Sequence, residues 1–214
     1  MKKLESNFIN MALSLLLIAA VAAALLAWVF GVTKAPIEKI NAETLSNGIK
    51  SVIVGDSDVN LLVEDPVEKD GYTFYRAFDA SNDQLLGTAV RSVDHNGFGG
   101  DIVVLVGFDP DGTILGYEVL EHSETPGLGA QAGEWFKQSA AASTGEQSAA
   151  GKAFFGRSVP AGNHNIIGMN PGTAVMTVSK DGGDVDAITA STITSRAFLR
   201  AIQGAYDATM SNVK

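Results

Sequence analysis

The residues from Thr189 to Ser195, TASTITS, pack five hydroxyls into seven positions directly before a stretch whose apolar residues recur at helical spacing. Two chemistries suit such a cluster. One is capping, in which a Ser or Thr oxygen accepts from an unpaired N–H at a helix start. That is worth about 1 kcal/mol and needs a single hydroxyl. The other is anion binding, in which the free N–H donors and partial positive charge of a helix start combine with hydroxyl donors to hold a phosphate. Residue types alone leave both open, and neither names a ligand.

A second candidate is the loop His122-Ser123-Glu124-Thr125-Pro126-Gly127-Leu128-Gly129. Gly127 and Gly129 would let a ligand approach the backbone closely, Thr125 offers a hydroxyl, and Glu124 could orient the loop. Pro-Gly is equally an ordinary turn signal. His95, His122 and His164 stand far apart with no pairing at helical spacing, so no metal site is expected and all three read as ordinary polar residues. With no cysteine in the chain, disulfides, thiolate nucleophiles and thiolate-held clusters are excluded, and redox work would need another cofactor.

These loops need elements to hold them. The 214 residues carry 15 Lys+Arg against 24 Asp+Glu, for a net charge of −9. That acidity disfavours nucleic acid and anionic lipid surfaces as partners. Residues 11–30, MALSLLLIAAVAAALLAWVF, hold no charge and at 1.5 Å per residue span about 30 Å, which predicts one transmembrane helix. Lys2 and Lys3 before it and Trp28 near its far end predict a cytoplasmic N-terminus and an outer domain. A cleaved signal peptide is the rival reading. The apolar run is long for one, no A-x-A site follows, and a retained anchor is expected.

Pro36 is expected to open a helix with Ile37, Ile40, Leu45 and Ile49 on one side, so 31–71 reads as helical stalk and connector. Hairpins are predicted from 72–78 with 84–93, and from 101–108 with 113–121 across Asp109-Pro110-Asp111-Gly112. A short helical stretch bears Trp135 and Phe136, and 139–151, rich in Ala, Ser and Gly, reads as a mobile surface segment. AVMTVSK (174–180) is expected to be a strand. A last helix is expected from about Ser195 to Met210, burying Phe198, Ala201, Ile202, Ala205, Tyr206 and Thr209. Hairpins with helices gathered at the ends indicate an α+β class.

Asp186-x-x-Thr189-Ala190-Ser191-Thr192 resembles the flavinylation motif of the FMN-binding domain shared by two proteins. These are the G subunit of the Rnf electron-transport complex and the C subunit of the sodium-translocating NADH:quinone reductase. His122 to Gly129 resembles that family's H-x-E-T-P-G-L-G loop, and the order of anchor, hairpins, loop and motif covers nearly the whole chain. Ala190 stands where the motif usually has Gly, and Ser191 where it usually has Ala. The shorter chain and compact approach to the motif fit the Rnf G subunit better.

The resemblance implies a single N-terminal transmembrane helix followed by one FMN-binding domain over 72–214, lying outside the cytoplasm of a bacterial inner membrane, after a cytoplasmic segment 1–10. It implies FMN joined covalently to Thr192 by a flavin transferase. Glu124, Thr125, Gly127, Leu128, Gly129, Asp186, Thr189, Ser191, Ile193, Thr194 and Ser195 would surround the cofactor, with Ser191 and Thr194 as rival attachment oxygens. Trp135–Phe136 or Phe154–Phe155 could cover the ring, although such pairs equally suit a core. Lys152 and Arg157 could balance its charge, although solvated surface is the simpler reading. The implied role is electron transfer between ferredoxin and NAD within an ion-translocating complex. No Rossmann glycine pattern is present, and one span forms no ion path, so other membrane subunits would supply both. A stand-alone anchored flavoprotein reductase and a flavin-free binding or scaffolding module are the alternatives.

Overall fold

The structure, a computed structural model, describes residues 8–55, 57, 59–137 and 163–212, with side chains at 35–39 and 41–42 left out. Two compact units divide between Ser46 and Asn47. The first holds most of α1 (Phe8–Ile53), of which Phe8–Lys34 has a mean hydropathy of 2.7 and is long and apolar enough to cross a membrane. The helix boundary expected at Pro36 is corrected, since α1 runs through it. An interior proline costs a helix one N–H donor, and the hydrogen bonds on either side carry the helix past it.

The second unit is built on a six-stranded antiparallel sheet. Its strands are β1 (Leu61–Val63), β2 (Val67–Lys69), β3 (Tyr72–Asp79), β4 (Gln84–Asp94), β5 (Ile102–Phe108) and β6 (Ile114–His122). The order is β1-β3-β4-β5-β6, with β2 also pairing β3. Both expected hairpins form. In the second, the Asp109 carboxylate accepts from the N–H groups of Asp111 (2.9 Å) and Thr113 (2.7 Å), and Gly112 takes a φ of 83°. The class is α+β, as expected.

Alternation along β5 sends its side chains to two buried faces. Val104, Val106 and Phe108 join Tyr117, Phe136, Phe198, Leu199 and Ile202 in the main core. On the opposite face, Gly107 of β5 pairs with Gly116 of β6. There the last turns of α1 pack through Ile49, Val52 and Ile53, all buried. A Cβ on Gly107 would overlap the Val52 carbonyl, and one on Gly116 would lie 3.0 Å from it. The paired glycines thus leave a flat strip on which the helix backbone rests.

A short helix, α2 (Ala132–Trp135), follows the sheet, and α3 (Thr192–Asn212) closes the described chain. Along α3 the expected face is buried, with Tyr206 half-buried. Two expectations are corrected. The last helix begins at Thr192 rather than near Ser195, because the Ser191 carbonyl already accepts the Ser195 N–H at 3.0 Å. AVMTVSK is not a strand. Met176 and Val178 enter the core, but the backbone bonds locally: Val175 N–H donates to the Asp184 carboxylate (2.8 Å), and Val178 makes only a single bridge to Val185 before a 3₁₀ turn at Ser179–Asp181. Period-2 burial is satisfied there without a neighbouring strand.

Candidate functional site

Three segments far apart in sequence converge at the start of α3. The 122–129 loop follows β6, the turn between β4 and β5 carries Phe98, and Ala190–Thr194 leads into the helix. The buried carboxylate of Glu124, 6% exposed, joins them. Its Oε2 accepts from Thr194 Oγ1 at 2.6 Å and its Oε1 from the Gly99 N–H at 3.0 Å. Gly129 lies against this pair, where an added Cβ would stand 2.6 Å from Thr194 Oγ1 and overlap Glu124 Oε2. The loop also closes on itself. Thr125 C=O accepts from the N–H groups of Leu128 (3.1 Å) and Ala130 (3.3 Å), and Gln131 Nε2 donates to Gly127 C=O (2.9 Å).

Residue 190 is the sterically costly point of the motif. Ala190 has φ 62°, the left-handed region, at a position where the flavinylation motif usually carries Gly. The turn is held by Ser191 N–H on Ile188 C=O (3.0 Å) and by Ser195 Oγ, which accepts from Ile188 N–H and donates to Ser191 C=O, each at 3.0 Å. Because the Ser195 N–H makes the first intrahelical bond, the N–H groups of Thr192, Ile193 and Thr194 have no acceptor within the helix.

This arrangement sorts the five hydroxyls. Ser195 and Thr194 are fully buried and each already donates, to Ser191 C=O and to Glu124. Ser191 is 9% exposed, with its Oγ 3.5 Å from Thr194 Oγ1. Thr189 is exposed but does not line the cavity described next. Thr192 is half-buried, lines that cavity, and its hydroxyl makes no hydrogen bond among the described residues.

The cavity holds about 320 Å³. Phe98, Thr125 and Leu128 line it together with Ala190 to Thr194, so both sequence-derived segments do meet. A larger depression of about 690 Å³ lies over the sheet between Arg91, Asp101 and Glu121, and touches the motif loop only at His122 and Ser123. Of the expected site residues, Thr125, Leu128, Ser191, Thr192, Ile193 and Thr194 line the smaller cavity, while Glu124, Gly127, Gly129, Asp186, Thr189 and Ser195 do not. Asp186 instead ties the approach to the motif. Its carboxylate accepts from Asn163 N–H (2.9 Å) and Ser179 Oγ (2.7 Å), and its C=O accepts from the Trp135 indole N–H (3.2 Å).

Trp135 and Phe136 belong to the core. Trp135 packs on His164 with ring centroids 5.0 Å apart, and Phe136 stacks on Phe198 at 4.6 Å. Residues 139–151, Lys152, Phe154, Phe155 and Arg157 lie outside the described residues. Phe98, 69% exposed, was not anticipated from the sequence. The available signal was an aromatic residue in the middle of Asn96-Gly97-Phe98-Gly99-Gly100, a turn that has no core to fill.

The cations of α3 are taken up by fork-shaped pairs. Arg196 binds Asp181 (2.6 and 2.8 Å) and Arg200 binds Asp94 (2.9 and 3.0 Å). Burial pushes the Asp94 carboxyl upward, but the Arg200 and Asn96 hydrogen bonds and the Arg200 charge outweigh it and hold the group below its ordinary value. Among the described residues, anion attraction at the site therefore falls to the helix start and its neighbouring hydroxyls. Apolar walls from Phe98, Leu128 and Ile193 beside N–H donors that have no acceptor among the described residues form a donor set that fits a flat aromatic ring carrying a phosphate.

Comparison with known proteins agrees. Residues 97–207 match the FMN-binding domain family. The chain is 31% identical over 198 residues to the G subunit of an ion-translocating oxidoreductase complex from Methanosarcina acetivorans, covering 91% of this chain and 90% of the relative. It is 30% identical over 201 residues to a protein of the same name from Vibrio vulnificus, covering 89% and 84%. It is also 30% identical over 199 residues to the G subunit of the Na(+)-translocating ferredoxin:NAD(+) oxidoreductase complex of Acetobacterium woodii, covering 88% and 84%. On motif, fold and this likeness together, the chain belongs to the FMN-binding domain family and is similar along most of its length to G subunits of ion-translocating oxidoreductase complexes.

Proposed function

We propose that this chain is the membrane-anchored electron-transfer subunit of an ion-translocating oxidoreductase complex of the ferredoxin:NAD type, and that it carries FMN as a phosphoester on Thr192 Oγ. The observation that carries this reading is the state of the hydroxyls. Thr192 is the one that both lines the cavity and is free of internal hydrogen bonds among the described residues, while Thr194 and Ser195 are buried and engaged.

Attachment requires a separate flavin transferase, with FAD as co-substrate. Thr192 Oγ displaces AMP at the FMN phosphorus, so one P–O bond forms, the pyrophosphate P–O bond breaks, and the hydroxyl proton leaves to base. The N–H groups of Thr192, Ile193 and Thr194 at the helix start would hold the phosphodiester, and the helix's partial charge would stabilise an anion there by about 0.3–1 kcal/mol. When bound, FMN supplies one- and two-electron transfer. The chain's own residues position it: Glu124 fixes the loop and Thr194, Ser195 fixes the turn, and Leu128 with Ile193 excludes water. The segment Phe8–Lys34 supports a single-pass anchor, with the N-terminus cytoplasmic and the FMN domain on the opposite side of the membrane. NAD binding and ion passage belong to partner subunits.

The test is co-expression with a flavin transferase, followed by ultraviolet fluorescence of the denatured band and peptide mapping. Thr192→Ala abolishes the fluorescence, whereas Thr189→Ala and Ser191→Ala retain it. FMN found on Ser191 or Thr194 would refute the assignment. Copurification with multi-span membrane subunits checks the complex, and a reporter fused after residue 214 checks the topology.

A further inference from the structure

We infer that Glu124, beyond positioning the walls of the cavity, holds the midpoint potential of the bound flavin low, because its carboxylate is a buried negative charge without a counter-cation, one hydrogen bond behind those walls. The inference rests on the reading that FMN is joined to Thr192. Glu124 is 6% exposed and does not itself line the cavity. Its carboxylate nevertheless touches all three wall segments. Oε2 accepts from Thr194 Oγ1 (2.6 Å), a lining residue two positions along α3 from Thr192, and Oε1 accepts from the N–H of Gly99 (3.0 Å), next to Phe98. Gly129, next to Leu128, lies so close that an added Cβ would overlap Oε2.

A carboxylate this buried is ordinarily matched by a cation. Here the cations of α3 are engaged elsewhere, Arg196 with Asp181 and Arg200 with Asp94. His122 approaches from the loop, but its Nδ1 accepts the Glu124 N–H at 3.2 Å and so turns a lone pair, not a proton, toward that residue. Among the described residues the Glu124 carboxylate is met by two neutral donors, an amide N–H and a hydroxyl. These satisfy its hydrogen bonding and leave its charge in place.

A charge fixed inside the protein is felt through a lower dielectric than one at the surface, and salt screens it far less. Reduction adds electrons to the flavin, and a neighbouring negative charge opposes that addition. The free N–H groups at the start of α3 answer the phosphodiester, which is a separate charge. Removing the Glu124 charge while keeping its shape therefore favours the reduced form.

Spectroelectrochemical titration of the full-length, flavinylated protein in detergent tests this. Glu124→Gln is expected to raise the ratio of reduced to oxidised flavin at a given potential at least tenfold, a midpoint higher by about 30 mV for the two-electron couple. Glu124→Asp keeps the charge and should stay close to wild type, whereas a role confined to stability would move both variants alike, since both disturb the bonds to Gly99 and Thr194. At high salt the Glu124→Gln shift should persist, and Asp207→Asn, which removes an exposed acid further along α3, should leave the midpoint unmoved. Glu124→Met, uncharged and of similar length, decides the matter if Glu124→Gln loads no flavin. A midpoint unchanged in the uncharged variant, moved equally by Glu124→Asp, or returned to the wild-type value by salt, with flavin present in the denatured bands, overturns the assignment and leaves Thr192 standing. A wild-type band without fluorescence overturns the Thr192 reading itself.

Discussion

Replacing Glu124 by Ala removes the acceptor of two buried donors at once, the Gly99 N–H at 3.0 Å and Thr194 Oγ1 at 2.6 Å. A buried donor left without a partner costs about 1–3 kcal/mol, so the pair amounts to about 2–6 kcal/mol. Glu124→Gln keeps the shape. Its amide oxygen can still serve Gly99, and the Thr194 hydroxyl can turn to accept from the amide NH₂. What is lost is the charge assistance of the short bond, about 1 kcal/mol. In a chain of this length 1 kcal/mol moves the melting midpoint by about 2–4 °C. Thermal unfolding of the full chain in detergent, followed by circular dichroism, should therefore show Glu124→Ala lower by at least about 4 °C, and Glu124→Gln lower by about 2–4 °C. A cycle with Thr194→Val should give a coupling of about 0.5–3 kcal/mol, as for residues in direct contact. A Glu124→Ala midpoint indistinguishable from wild type, or additive effects in the cycle, would refute the claim that this carboxylate locks the two segments together.

Three other outcomes follow from single contacts. Ala190 sits at φ 62°, so Ala190→Gly should stabilise the protein by about 1 kcal/mol, seen as a higher melting midpoint; a lower one would show that the left-handed turn costs nothing here. Gly107→Ala would drive a Cβ into the Val52 carbonyl and should cost about 1–3 kcal/mol in thermal unfolding, whereas Gly133→Ala, with open space around it, should cost little. The Asp94 carboxyl is held below its ordinary value in the fold, so its contribution is complete above the unfolded pKa of about 4 and disappears as pH falls through the folded value. Asp94→Asn should therefore melt lower than wild type at pH 7, with the difference starting to shrink as the pH falls below about 4 and vanishing only below the folded value.

Much of the architecture was legible because it rests on local rules. Both hairpins followed from period-2 runs meeting at turn residues, and the buried face of α3 followed from apolar spacing around Phe198, Ile202 and Ala205. The failures came where local pattern met non-local demand. Residues 174–180 alternate like a strand, but their backbone bonds locally instead, Val175 N–H to the Asp184 carboxylate and Ser179 N–H to Val185 C=O. Pro36 reads as a start, but α1 continues through it. Ser195 reads as the head of the last helix, yet it closes the preceding turn.

By itself the sequence determined the chemistry at hand: no thiolates, an apolar segment long enough to span a bilayer, and two motifs whose hydroxyls, glycines and helix start suit a phosphate-bearing cofactor. Tertiary structure decided which of those groups are buried and already hydrogen-bonded. A hydroxyl becomes available or unavailable through partners that lie far off in the chain, as Thr194 does by donating to Glu124 seventy residues earlier. Phe98 acquires its place beside Thr192 through the same carboxylate. Hydrogen-bond satisfaction and burial are properties of the packed loops rather than of any one segment, and so which of the five hydroxyls has no hydrogen-bond partner among the described residues was not legible in the sequence.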